Sequence, residues 1–309
     1  MVEIETLQLR WPTQALWAAL DPLLPGVAVE IMARAESTNT ALVERARLSA
    51  GARQPQPGLS RNRASDSGAP VVHGRRSMDS QPCLLVAEHQ TRGRGRMGRG
   101  WTSAAGASLT FSLALPLSPM DWSGLSLAVG VAVAQALDPQ PSPAPSRIRL
   151  KWPNDLWLWD PGSARGGRKL GGILIETVPV GGRRMCVVGV GLNVMPLQVD
   201  DLSSGYACLR ELDPGAEAPG VLMQLAPTLV RALQAFERGG FAEFAERFAA
   251  RDALAGRRVT TTQAGAREGM VEGVDERGAL RLLVDDGRRV LINSGEVSVR
   301  PSAAGGTRP

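Results

Sequence analysis

The stretch from Cys83 to Leu115, CLLVAEHQTRGRGRMGRGWTSAAGASLTFSLAL, restricts the fold more than any other. An apolar strand enters a loop in which Arg92, Arg94, Arg96 and Arg99 are interleaved with Gly93, Gly95, Gly98 and Gly100. After Trp101 a second strand alternates Leu109, Phe111, Leu113 and Leu115 with smaller residues, the period-2 pattern of a sheet. Glycines let a backbone turn tightly and approach a ligand, and arginines supply planar, permanently charged donors for carboxylate or phosphate. A loop of this kind, held between two strands, is built to bind an anion. Gly93-Arg94-Gly95-Arg96-Met97-Gly98 satisfies the dinucleotide fingerprint literally, but that motif opens a helix and is followed about 20 residues on by an acid. Here a strand follows, and the region around Leu113 has no carboxylate. Taken alone, the loop also fits a solvated basic segment or an RNA-binding Arg/Gly tract.

A chain of 309 residues can bury a sizeable core, and its length fits one large domain plus a small one. No apolar run approaches the roughly 18–20 residues that span a bilayer. The start, MVEIETLQLRWPTQ, lacks the basic and apolar regions of a secretory signal. Cys83, Cys186 and Cys208 are few, odd in number and unlike a zinc site in spacing, which suits a reducing cytoplasm. With His73 and His89 the only histidines, histidine-based metal or triad chemistry is disfavoured. A net charge of +5 admits nucleic acid, anionic small molecules or acidic partners, while 4% aromatics, with one Tyr, argue against a base-stacking platform.

Along the chain, a helix is expected near Thr13–Leu20 and a strand near Gly26–Ile31. Ser37 or Thr38 is a natural N-cap for the helix that follows, gathering hydroxyls and free N–H groups at one point. Residues 51–81, rich in Gly, Pro, Ser and Arg, read as a mobile insertion, and Pro161–Arg168 as a shorter one. Arg147–Trp152 reads as a strand stopped at Pro153, followed by Asn154, Asp155 and a strand LWLW. Lys169 opens a further strand, and Met185–Val194 is a strand buried on both faces that ends at Asn193. Helical patterns cover about Gly220–Phe236 and Phe241–Leu254. From Gly256 come short strands at Arg258–Thr262, Gly269–Asp275, Ala279–Val284 and from Arg289, a small all-β module. The polar residues at these strand and helix ends outnumber what a scaffold needs, since Asn at the end of an apolar strand is costly unless partnered.

Five pieces in order then carry a resemblance: ESTN at 36–39, AEHQTRGRGRMGRGW at 87–101, KWPND at 151–155, KLGGILIE at 169–176 and GVGLNV at 189–194. Together with the closing SGEVSVR, they resemble the bacterial biotin–protein ligases over roughly residues 30–300. The resemblance implies an α+β fold, a mixed β-sheet packed with helices in the class II synthetase-like manner of biotin/lipoate ligase catalytic domains, over residues 1–254. A small SH3-like barrel over 255–301 and a disordered tail at 302–309 complete it.

It also implies chemistry. Such enzymes join the biotin carboxylate to the α-phosphate of ATP, then pass the biotinyl group to a lysine of a biotin carboxyl carrier protein of acetyl-CoA carboxylase. By similarity, Ser37, Thr38, Asn39, Gln90, Arg94, Gly95, Arg96 and Lys169 bind biotin. Arg94, Arg96, Arg99, Trp101, Lys151, Asn154 and Asn193 bind ATP and the adenylate, Asp155 binds Mg²⁺, and Lys169 and Arg96 are catalytic. Bringing two anions together requires fixed positive charge and backbone donors, which these residues can supply. The Arg/Gly loop is expected to order over the adenylate. The residues before Ser37 are too few for the winged helix-turn-helix of some relatives, so no DNA binding is expected. Nor is membrane association, and a monomer or weak homodimer is. Two rivals remain, a lipoate–protein ligase-like acyl transferase and a basic nucleic-acid-binding protein.

Overall fold

Both strands and the loop expected at Cys83–Leu115 are present in the computed structural model, which describes residues 9–51, 71–73, 81–139, 146–160, 166–180, 182–198, 204–293 and 299–301. In chain order the elements are α1 (Thr13–Leu20), β1 (Ala28–Ala35), α2 (Thr38–Gly51), β2 (Val71–His73), β3 (Cys83–Gln90), β4 (Gly93–Arg94), β5 (Gly100–Trp101) and β6 (Ser108–Leu117). Then follow α3 (Leu125–Leu137), β7 (Ile148–Lys151), β8 (Asp155–Trp159), β9 (Gly167–Val180), β10 (Arg183–Asn193), α4 (Ala218–Gly239) and α5 (Ala245–Ala249). The last strands are β11 (Arg258–Thr261), β12 (Glu268–Val274), β13 (Leu280–Val284), β14 (Arg289–Ile292) and β15 (Val299–Pro301). This is the mixed α+β architecture expected, and the chain clusters into two compact units.

The first unit comprises Met1–Ser118, Leu174–Gln198 and Leu212–Pro227. Its strands run in the order β2-β1-β3-β6-β10 and then the second half of β9, with β1 parallel to β3 and β6 antiparallel to both β3 and β10. β6 is buried along nearly its whole length on both faces. Its small residues Ser112 and Ala114 face α2, and this lets the helix lie close. Leu42, Val43 and Ala46 of α2 pack with Ala28, Cys83, Leu85, Ala114, Val178, Met185 and Val187 in one apolar cluster. The expected insertion at 51–81 contains β2, which pairs antiparallel with β1. Val71 and Val72 favour extended backbone, and the free edge of β1 offers a ladder to complete. Residues 52–70 and 74–80 of that segment lie outside the described residues, as do 161–165 of the shorter insertion and the tail at 302–309.

The second unit comprises Pro119–Ile173, Val199–Glu211 and Thr228–Pro309. The first half of β9 pairs with β8 and β8 with β7. The helix α3 approaches β7 through Gly130, where a Cβ would stand 3.2 Å from Leu150. Trp152 is fully buried, and its Nε1 donates to Gly278 O at 3.0 Å, tying the end of β7 to the β12–β13 turn. The helical pattern at Phe241–Leu254 is broken in the fold. It forms a 3₁₀ turn over Gly240–Phe244 and then α5, which ends at Ala249. Residues 251–253 leave the helix because their backbone pairs with β7: Leu150 N donates to Arg251 O at 2.8 Å and Ala253 N to Leu150 O at 2.9 Å. Tertiary pairing overrides helical periodicity here. The C-terminal strands form a five-stranded antiparallel sheet in the order β14-β13-β12-β11-β15, with β15 a fifth strand beyond the four read individually from sequence.

Candidate functional site

In the first unit the start of α2 is a dense polar network. Ser37 caps the helix, its Oγ lying 3.4 Å from Thr40 N, and Ser37, Thr38 and Asn39 are all buried. Gln90, the last residue of β3, accepts from Thr38 N at 2.8 Å, and its Oε1 lies 3.2 Å from Thr38 Oγ1. Ser112 of β6 reaches both neighbours: its Oγ is 2.7 Å from Thr38 Oγ1 and 2.6 Å from Asn39 Oδ1. Asn39 Nδ2 donates to Leu174 O and to Glu176 Oε2, each at 3.1 Å. Apart from the Glu176 carboxylate that anchors Asn39, these are neutral hydrogen-bonding groups, suited to a neutral polar ligand.

Two glycines of β10 make room for this arrangement. A Cβ on Gly189 would fall 2.2 Å from Asn39 Oδ1, and one on Gly191 would fall 2.6 Å from Trp101 Cε2. Residues two apart share one face of a strand, so the alternate glycines seat first Asn39 and then Trp101. The buried Asn193 follows at the end of β10. Charge borders the network at Arg94, whose Nη1 donates to Thr40 Oγ1 at 3.3 Å and lies 3.4 Å from Glu176 Oε1. The loop itself is a small hairpin of β4 and β5, with Gly95 N donating to Arg99 O at 2.7 Å. Its base is tied to the segment before α2, since Thr91 N and Arg92 N donate to Ala35 O and Glu36 O, each at 2.9 Å. Met97 at its turn holds φ 56, a left-handed conformation unusual without glycine. Arg96 and Arg99 flank that turn.

In the second unit Lys151, Asp155 and Lys169 form one ionic cluster. Asp155 Oδ1 is 2.8 Å from Lys169 Nζ and its Oδ2 3.8 Å from Lys151 Nζ. The antiparallel turn after β7 sets Lys151 opposite Asp155. Lys169 arrives by a different device. Asp155 pairs with Gly172 and Leu156 with Gly171, but Trp157 then pairs with Lys169, so Leu170 is bulged out. In a regular ladder Lys169 would oppose Leu158 and face away from Asp155. The extra residue turns it onto the carboxylate's face. Gly172 lies against the pair: a Cβ there would stand in ordinary contact with it, 3.5 Å from Lys169 Nζ. Asn154 is held by one backbone unit: its Nδ2 donates to Ile173 O at 2.9 Å, and Ile173 N donates to Asn154 O at 3.0 Å.

The strand carrying Lys169 is itself anchored. Lys169 N donates to Gly205 O and Ala207 N to Lys169 O, while Arg168 donates to Tyr206 O and bidentately to Glu211. Burial is the largest single influence on the Glu211 carboxyl and raises it, but the Arg168 hydrogen bonds, the Cys208 N–H and the charges of Arg168 and Arg147 together outweigh it and hold the group below its ordinary value. The neighbouring Tyr206 hydroxyl is pushed up to about 12 by burial, so it stays protonated.

The expected residues therefore fall into two groups: Ser37, Thr38, Asn39, Gln90 and Arg94 with the loop and Trp101, and Lys151, Asn154 and Asp155 with Lys169. Sequence reading passed over Ser112, Glu176 and the clearance supplied by Gly189 and Gly191. In the sequence Ser112 is one of several small residues alternating with large apolar ones along β6, and nothing there singles it out. Among the described residues no group of three or more acidic, Cys or His side chains is placed to hold a metal ion.

This geometry has known relatives. Residues 75–193 match the Biotin/lipoate A/B protein ligase family and residues 255–300 the Biotin protein ligase C terminal domain. The chain is 34% identical over 229 residues to the biotin–[acetyl-CoA-carboxylase] ligase of Mycobacterium tuberculosis, covering 71% of this chain and 79% of that protein. It belongs to the biotin–protein ligase family. To the bifunctional ligase/repressor BirA of Escherichia coli it is 35% identical over 220 residues, 70% of this chain and 65% of BirA, so it spans about two thirds of that relative. Among solved structures, the Aquifex aeolicus biotin protein ligase in complex with biotin and ATP superposes with a TM-score of 0.63 at 25% identity, covering 89% of this chain and 99% of the other.

Proposed function

We propose that the protein activates biotin with ATP and transfers it to a lysine of a biotin carboxyl carrier protein of acetyl-CoA carboxylase. The observation that carries this reading is the neutral network of Thr38, Gln90, Asn39 and Ser112 bordered by Arg94, in a chain that spans 79% of a biotin–[acetyl-CoA-carboxylase] ligase at 34% identity. A cyclic urea is neutral and offers both donors and an acceptor, which a set of amides and hydroxyls matches. In the first step a biotin carboxylate oxygen attacks the α-phosphorus of ATP, the new P–O bond forms and pyrophosphate leaves. In the second the acceptor amine attacks the biotinyl carbon, AMP leaves and the amine loses a proton.

Lys169, with Lys151, is the electrostatic element of the first step. In the structure both amines are drawn to Asp155, and an incoming carboxylate and phosphate would compete for them. Arg94, Gly95 and Arg96 are assigned to the carboxylate and adenylate, with Arg96 helping to retain the intermediate. Arg99, Trp101, Asn154 and Asn193 are assigned to the nucleotide. Asp155 is a single carboxylate already engaged by two ammonium groups, and among the described residues no group of carboxylates forms a cage for Mg²⁺. The ion would be held chiefly by nucleotide phosphates, with Asp155 as a protein ligand. Three free buried cysteines favour a reducing compartment, the cytoplasm. The test is biotin-dependent exchange of pyrophosphate into ATP with Mg²⁺. Absence of exchange refutes the reading, and exchange with lipoate alone redirects it to lipoate.

A further inference from the structure

Ser112 is fully buried on β6, directly opposite Gly189 of β10. Its hydroxyl is the junction between two residues assigned above to biotin, and the protons of the network can be assigned from chemistry. Asn39 Nδ2 faces two acceptors, Leu174 O and Glu176 Oε2, which fixes Oδ1 on the Ser112 side. Gln90 receives Thr38 N, so the atom facing Thr38 is Oε1. Neither amide oxygen can donate. Three oxygen–oxygen contacts must then share two hydroxyl protons: 2.6 Å from Ser112 to Asn39, 2.7 Å from Ser112 to Thr38, and 3.2 Å from Thr38 to Gln90.

One arrangement places a proton in each short contact. At 2.6 Å a proton must lie between Ser112 Oγ and Asn39 Oδ1, and only Ser112 can supply it. The 2.7 Å contact then takes its proton from Thr38, leaving none for the 3.2 Å contact, whose acceptor already receives Thr38 N. Thr38 therefore donates inward to Ser112 and can meet a ligand only as an acceptor.

We infer that Ser112 is a positioning residue that fixes Thr38 as the acceptor for a ligand N–H and locks the Asn39 amide beside it. This rests on the biotin reading and sharpens it: Thr38 pairs with a ureido N–H and not with the ureido carbonyl, so the site selects a urea over a ring bearing an acceptor there. Removing the Ser112 hydroxyl frees the Thr38 proton to turn toward the ligand and leaves Asn39 Oδ1 without its donor.

The test measures binding of biotin and of an analogue whose ureido N–H is replaced by ring oxygen, by calorimetry, with wild type, Ser112→Ala and Ser112→Cys. Wild type should favour biotin strongly. Ser112→Ala should weaken biotin about tenfold or more, the cost of about one buried hydrogen bond left unmade. The analogue should be little affected, so the ratio collapses, and Ser112→Cys, with a weaker donor of similar size, should fall in between. In pyrophosphate exchange the biotin KM should rise with kcat nearly unchanged, because Ser112 contacts Thr38 and Asn39, assigned to the ring, and not the residues assigned to the carboxylate. A wild-type ratio kept by folded Ser112→Ala overturns the inference alone, and so does an equal loss for both ligands. Failure of wild type to bind biotin overturns the underlying reading as well. Should Ser112→Ala not fold, the same comparison on Ser112→Cys decides it.

Discussion

Gly189→Ala is the most direct probe of how the first cluster is built. The added Cβ would stand 2.2 Å from Asn39 Oδ1 and 2.9 Å from its Cγ, where ordinary contact begins at 3.4 Å. Gly189 lies on a central, buried strand whose ladder to β6 runs from Arg184 to Asn193, so β10 cannot give way cheaply. The Asn39 amide must move, by on the order of 1 Å, and its three hydrogen bonds, at 2.6, 3.1 and 3.1 Å, cannot survive that displacement together. At about 1 kcal/mol for each buried bond, the loss is about 3 kcal/mol in unfolding free energy. Biotin affinity should fall with it, since Thr38 and Ser112 share the network.

Urea denaturation of four proteins checks this: wild type, Gly189→Ala, Asn39→Ala and the double variant. Because the clash is with the Asn39 amide, Gly189→Ala should be nearly neutral once that amide is gone. The double variant should then match Asn39→Ala within about 0.5 kcal/mol, the usual limit of additivity at unrelated sites. A single Gly189→Ala with wild-type stability and biotin KM would refute the reasoning. So would two costs that simply add.

Other outcomes follow from the second unit. Lys169→Ala should fold with wild-type stability yet lose adenylate formation by a factor of about 100 or more, followed by pyrophosphate exchange; full exchange would remove Lys169 from the mechanism. Trp152→Phe removes one ring of a fully buried indole and leaves Gly278 O without its 3.0 Å donor, and should cost about 1–3 kcal/mol or more in thermal or urea unfolding. Asp252 is pushed up from 3.8 to about 6, first by burial, with Oδ1 accepting Leu254 N at 2.8 Å and Oδ2 without a hydrogen-bond partner among the described residues. A raised acid pKa means the folded state holds the proton more tightly than the unfolded chain. The penalty is therefore absent below about pH 4, grows through the window up to about pH 6 and is complete above it, reaching at most about 3 kcal/mol. Asp252→Asn should thus stabilise the protein at pH 7.5 and change little at pH 4, as urea midpoints at the two pH values would show; equal effects at both would contradict the assignment.

How much of this was legible in the sequence depends on whether a residue acts through its own type or through its geometry. The strand–loop–strand at Cys83–Leu115, a cap at Ser37 or Thr38 and the terminal Asn193 could be read directly, because alternation, capping chemistry and the cost of a buried amide are local rules. The motif lysine at 169 was legible as a charge, but its aim was not. It faces Asp155 through one bulged residue. In KLGGIL such a bulge leaves no mark beyond the glycines, which serve tight turns and close approaches as readily as bulges. The helix expected through Leu254 failed for a related reason, since the partner that pulls residues 251–253 out of it is β7, about a hundred positions earlier.

Ser112 shows the limit most clearly. In LTFSLAL it is indistinguishable from a small filler between leucines, and only the approach of α2 over Gly189 turns it into the hydroxyl that Thr38 and Asn39 require. The five recognisable motifs supply groups that can touch ligand, and within them Glu176, Gly189 and Gly191 act by orientation. Ser112, outside the motifs, joins these three in a second set of residues whose identities are set by clearance and proton direction. Substitutions in this second set should therefore alter which ligand is accepted before they abolish the reaction, and substitutions at Lys169 should do the reverse.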